Sequence, residues 1–171
     1  MAVSMATTTV PRWQATAFTD VEFDEAASHH LVVTTDEEAA EHVGDPAGVS
    51  VVRLAGPEDD ALAAALRPAR VGWRFVVVGR GAAPVRVRAA IIAAGVIDAE
   101  VTVVDLGGGD GFSPGERDVY CAHCHSVTTT FAGIDESLTC SGCGSPLVVY
   151  YHFSRRHHAY LGFHPDAEEL P

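Results

Sequence analysis

Apolar positions are distributed along the chain in two different ways. Between residues 29 and 107, short apolar runs alternate with stretches of helical composition. Leu31-Val32-Val33 is a compact apolar run suited to a buried strand. Residues 37–43 are polar and helical, residues 49–54 read as a second strand, and residues 73–78 and 101–106 as a third and fourth. Gly56-Pro57-Glu58-Asp59-Asp60 opens a helix over residues 61–66, because proline fits a first helical turn and acids there complement the helix dipole. Residues 84–94 give a further helix, which Gly95 ends. Apolar strands separated by helices of about ten residues predict an α/β domain, a small mostly parallel sheet with flanking helices.

On either side the pattern changes. Residues 1–28 combine Ala, Thr and acids with scattered Trp13, Phe18 and Phe23, the composition of a flexible arm whose aromatics would at most dock on a partner. Gly107-Gly108-Gly109-Asp110-Gly111 holds four glycines in five residues and cannot sustain a regular element. Beyond it the chain turns β-prone, at residues 126–131 and again at 146–153, with a turn at Gly133-Ile134-Asp135-Glu136-Ser137. The expected organisation is therefore an arm at 1–28, the α/β domain at 29–107, a glycine-rich linker at 108–118, and a small all-β domain with its tail at 119–171.

That last domain carries all the cysteines. Cys121 and Cys124 form one pair and Cys140 and Cys143 the other, in the spacing C-x2-C-x15-C-x2-C of a zinc ribbon with rubredoxin-like architecture. Two residues between cysteines let one tight turn aim two thiolates at one ion, while nearby backbone N–H groups satisfy the sulfurs. Gly144 supplies the positive φ that such a turn needs. Four thiolates around Zn²⁺ leave no open position for water, so the site is structural and its role is to fold a segment too small for its own core. Iron in the same four sulfurs is the alternative, since both metals accept tetrahedral thiolate ligation. Cys121-Ala122-His123-Cys124-His125 also fits the haem-attachment pattern C-x-x-C-H, but that reading leaves Cys140 and Cys143 without a role.

Charge narrows the field of partners. The chain has 23 acidic against 11 basic residues, a net charge of −12, and no lysine. Its arginines do not cluster in sequence, so a phosphate backbone would be repelled and nucleic acid is not an expected partner. The N-terminus lacks a signal-peptide pattern, and no apolar run is long enough for a membrane span. The expected location is the cytoplasm, where paired cysteines bind metal and do not form disulfides.

Other chemistry is sparse. Gly79-Arg80-Gly81 follows a strand and precedes a helix, as a phosphate-cradling loop does, but Pro84 replaces the third glycine and a plain connecting turn explains the segment. Six of the nine histidines, including His123, His125 and His157, follow residue 120 and read mainly as polar surface of the β module. No nucleophile–base pair or carboxylate pair stands out, so no catalytic residue is assigned. The segment from Tyr150 to Phe163 mixes aromatics with Arg155 and Arg156, types enriched at interfaces and in packed sheets alike.

Tyr120-Cys121-Ala122-His123-Cys124-His125, Cys140-Ser141-Gly142-Cys143, His152-Phe153-Ser154-Arg155-Arg156-His157 and Tyr160-Leu161-Gly162-Phe163 together resemble the C-terminal domain of the small subunit of bacterial dimethylamine monooxygenase. The resemblance is specific over residues 118–164 and weaker before the linker. It implies an accessory, zinc-binding subunit of a multi-subunit NADPH-dependent monooxygenase that converts dimethylamine to methylamine and formaldehyde with O₂. It further implies partner subunits, one a haem oxygenase and one a reductase with flavin and an iron–sulfur cluster, that would hold NADPH and those cofactors. A stand-alone zinc-ribbon module binding nucleic acid or protein, and a small nucleotide-binding protein using the Gly79 loop, are the competing readings.

Overall fold

The computed structural model describes residues 9–10, 17–54, 60–107 and 115–167. Trp13, the helix opening at 56–59 and most of the glycine-rich stretch lie outside them. The chain divides into two compact units, Trp13–Gly109 and Asp110–Pro171 with Met1–Arg12.

In the first unit, four strands build one parallel sheet: β1 (His29–Thr34), β2 (Ser50–Arg53), β3 (Trp73–Gly79) and β4 (Val101–Asp105), in the order β2-β1-β3-β4. Both faces of such a sheet are covered, which is why its strands are apolar without alternation. Leu31, Val33, Phe75, Val77 and Val103 face α2 (Ala61–Leu66) and α3 (Ala83–Ala93), where Ile91 is fully buried. Val32, Val76, Val78 and Val104 face α1 (Glu37–Val43) through Ala39 and Val43. The α/β expectation therefore holds, helix by helix and strand by strand. Local chemistry sets the helix ends. Asp36 Oδ1 accepts the Ala39 N–H at 2.7 Å as an N-cap, and Glu37 and Glu38 occupy the first turn of α1. Pro84 sits in the first turn of α3, and Gly95 takes a φ of 102° just past its end.

Part of the segment expected as a loose arm is packed. Phe18, Val21 and Phe23 lie on the α1 side of the sheet, with the Phe18 and Phe23 rings edge to face at 5.9 Å and Phe23 against His30 at 5.1 Å. Isolated aromatics without periodicity give no element signal in sequence, yet they cover apolar sheet surface that α1 alone is too short to hide.

The second unit is a five-stranded sheet of β5 (Arg117–Cys121), β6 (Val127–Thr130), β7 (Ser137–Thr139), β8 (Pro146–Ser154) and β9 (Ala159–Phe163), in the order β6-β5-β9-β8-β7. Only β5 and β9 pair in parallel; the other neighbours are antiparallel. Its small core holds Val119, Leu147, Val149, Phe153, Ala159 and Tyr160, together with two of the cysteines. Arg117 is buried beneath them, its guanidinium 5.0 Å from the centre of the Tyr160 ring. The register of β8 and β9 shifts between Val149 and Phe153, a bulge that brings Tyr150, Tyr151 and His152 into mutual ring contact. Next to it the Phe153 N–H donates to Thr9 Oγ1 at 2.8 Å, while the same hydroxyl donates to the Phe153 carbonyl at 3.1 Å. Residues near the N-terminus thus belong structurally to the cysteine-bearing unit.

Candidate metal centre

Two turns of the same design carry the cysteines. In the first, the His125 N–H donates to the Cys121 carbonyl at 3.0 Å and the Cys121 N–H to the Ser126 carbonyl at 2.9 Å. In the second, the Gly144 N–H donates to the Cys140 carbonyl at 3.0 Å and the Cys140 N–H to the Ser145 carbonyl at 2.9 Å. The residue after each second cysteine is left-handed, with φ 66° at His125 and 73° at Gly144. Glycine meets that demand freely, and the histidine pays for it at the equivalent place. The turns are tied together where Thr128 Oγ1 on β6 accepts the Ser141 N–H at 3.0 Å.

The four Sγ atoms converge. All lie within 4.8 Å of one another, with Cys124 and Cys140 at 3.5 Å and Cys121 and Cys143 at 4.0 Å. Four sulfurs at tetrahedral corners about 2.3 Å from a central ion are about 3.8 Å apart, so the donor set fits a thiolate-bound metal. No other group of three or more ligating side chains is gathered in this way among the described residues.

The surroundings prepare the sulfurs for charge. The Ser145 side chain, with Oγ 3.4 Å from Cys143 Sγ, holds that thiol down to about 7, helped by the Ser145 N–H and by His123. Ser126 lowers Cys124 by its hydroxyl and its N–H, and the Cys143 and Gly142 N–H groups lower Cys140. Cys121 is the exception: burial pushes it up to about 11, although the Cys124 and His123 N–H groups point at it. A fully buried thiol ionises there only when a cation takes the place of the proton. The shell runs from the core to the surface, since Cys121 and Cys140 are buried, Cys124 is half-buried and Cys143 is exposed.

The strand β9, which carries no ligand, also shapes the site. The Ala122 N–H of the first turn donates to the Gly162 carbonyl at 3.2 Å. A Cβ at Gly162 would sit 2.7 Å from Val119 Cγ1 and 3.1 Å from Leu147 Cδ1, both buried. A glycine inside a β-prone aromatic run is the sign of such a close approach, and Tyr160-Leu161-Gly162-Phe163 carried it. Tyr120, beside Cys121, stacks on His157 at 3.9 Å and on His125 at 5.8 Å.

The glycine loop of the other unit has a structural explanation. Gly79 is required because a Cβ there would lie 2.0 Å from Thr35 Oγ1. Arg80 grips Glu38 in a two-point ion pair, with Nη2–Oε1 at 2.6 Å and Nε–Oε2 at 3.1 Å, and donates through Nη1 to the Leu106 carbonyl. Its charge also feels Asp36 and Asp105. The arginine is thus engaged by carboxylates, and an incoming phosphate would have to displace one of them and approach the others.

Comparison with known proteins agrees with the pattern of the second unit. Residues 118–163 match the C-terminal domain family of dimethylamine monooxygenase subunit DmmA-like proteins. Over 156 residues the chain is 35% identical to the heme-dependent oxidative N-demethylase delta subunit of Ectopseudomonas mendocina (strain ymp), covering 84% of this chain and 83% of that protein. No solved structure matches the chain. A four-cysteine ribbon with this spacing, matched at family level, and a relative aligned through both units lead to one conclusion: the chain belongs to the DmmA-like family.

Proposed function

We propose that the chain is an accessory, non-catalytic subunit of a multi-subunit, NADPH-dependent monooxygenase that demethylates dimethylamine, and that Cys121, Cys124, Cys140 and Cys143 hold a structural zinc ion. The observation that carries this reading is the closed shell of four sulfurs, which offers an ion no position for water or substrate. Zinc in such a shell supplies folding free energy, not chemistry. The chain's own residues do the positioning: the two turns fix the sulfurs, Ser126 and Ser145 favour their ionised form, and β9 anchors the first turn.

The relative's name supports the assembly, being that of a delta subunit of a heme-dependent oxidative N-demethylase. In the proposed reaction one atom of O₂ enters a methyl group of dimethylamine, which departs as formaldehyde and leaves methylamine. The other atom leaves as water, with NADPH supplying the two electrons. Haem, flavin and an iron–sulfur cluster would reside on partner subunits, in a cytoplasmic complex.

The test is to purify the complex with and without this chain from a host that expresses all subunits. The intact complex should oxidise NADPH only when dimethylamine is added, releasing formaldehyde in equal amount, and should contain one zinc per copy of this chain. Full turnover by a complex lacking the chain would refute the subunit assignment. A visible thiolate-to-iron absorption band on the isolated chain would replace zinc by iron.

A further inference from the structure

On the parallel-sheet unit, we infer that an open groove between the C-terminal parts of α2 and α3 docks a partner-subunit segment with apolar anchors flanked by Asp or Glu; this rests on the accessory-subunit reading above. The groove has a volume of about 880 Å³, and Leu66, Phe75 and Ile97 are among its lining. Val71 and Ile97 stand 96% and 61% exposed at its open rim, although the same unit hides its other large aliphatic side chains far better. Single exposed hydrophobics are ordinary, but two on the rim of one groove are an invitation to a partner.

Charge selects the occupant. Arg53, Arg74, Arg80 and Arg88 are each ion-paired with a carboxylate. Arg67 and Arg70, which line the groove, have no carboxylate within ion-pair distance among the described residues. Arg70 Nη1 instead donates to the Ala69 carbonyl at 2.7 Å, which holds the guanidinium in place. Glu100 also lines the groove, its charge only partly offset because Arg74, 3.5 Å away, is shared with Asp24 at 2.9 Å, so the two arginines outweigh one partly compensated carboxylate. A chain with a net charge of −12 has carboxylates in excess, so two adjacent cations left without one mark a surface whose acidic partner is on another molecule. An occupant lacking apolar anchors would leave Val71 and Ile97 in water. An occupant lacking acids would bury uncompensated charge. An amphipathic segment with both features meets the two demands at once.

The test uses the full chain and the other purified subunits of its enzyme, with binding measured at low salt. Wild type should bind, and the Arg67→Glu/Arg70→Glu and Val71→Asp variants should bind at least about tenfold more weakly, while Val127→Asp on the edge strand of the ribbon unit should bind as wild type does. All these positions are exposed, so circular dichroism should report unchanged folding. A photo-crosslinker in place of Val71 should trap a partner peptide rich in Asp or Glu and large apolar residues. Wild-type assembly that the groove variants leave intact would overturn the inference and spare the subunit reading. Failure of the wild type itself to assemble would remove both. Crosslinks to a peptide of this chain would overturn it too, by making the occupant its own segment or a second copy.

Discussion

A Cβ at Gly142 would meet Ser126 Oγ at 2.2 Å and Cys124 Sγ at 3.0 Å, so the second cysteine turn touches the first across this one position. Gly142→Ala is expected to push Cys124 off its corner and weaken metal binding about tenfold, as read by competition with a chromogenic chelator. Affinity equal to wild type would mean that the turns do not interlock. At Gly162 the crowding comes from Val119 and Leu147, which are buried and have nowhere to move. Gly162→Ala should therefore destabilise the ribbon by about 1–3 kcal/mol in chemical denaturation. Cys140→Ser leaves three thiolates, which cannot close the shell; loss of metal and of the ordered ribbon is expected, and an unchanged melting profile with full metal content would contradict it. Which four side chains meet was legible in the spacing, and so was the left-handed Gly144. The equivalent left-handed His125 was not, because no residue preference signals it.

Among the elements, the parallel sheet was readable because strands buried on both faces must be continuously apolar, as Leu31-Val32-Val33 and Phe75-Val76-Val77-Val78 are. The strand β9 was harder. Its parallel partner β5 lies far away in sequence, and its aromatic and arginine neighbours suit a surface as well as a sheet. The placement of Thr9 beside the β8 bulge follows only from tertiary pairing. On α3, Arg88 is buried and paired with Asp98 on the turn that follows. Asp98→Ala takes a carboxylate from a buried guanidinium and should cost about 1–3 kcal/mol in urea unfolding, with Asp98→Glu recovering part of it. No loss in the alanine variant would mean that other contacts carry Arg88.

At the scale of the whole molecule, two units stabilised by different physics share one chain. The parallel-sheet unit folds on buried aliphatic side chains, whereas the ribbon has a few core residues and a cluster of four converging cysteines in place of a larger interior. Stripping the metal with a chelator is expected to remove one thermal transition and leave the other near its original midpoint. Loss of both together would show that the units fold as one cooperative body. No helix among the described residues is long and apolar enough to cross a membrane.

The sulfur shell is best interrogated at the metal itself. X-ray absorption at the zinc edge, on protein purified without added metal, should give one zinc per chain with four sulfur neighbours at about 2.3 Å and no oxygen or nitrogen in the first coordination sphere. A shell containing a light-atom ligand, or chains that carry no metal with their four thiols free to react, would contradict it.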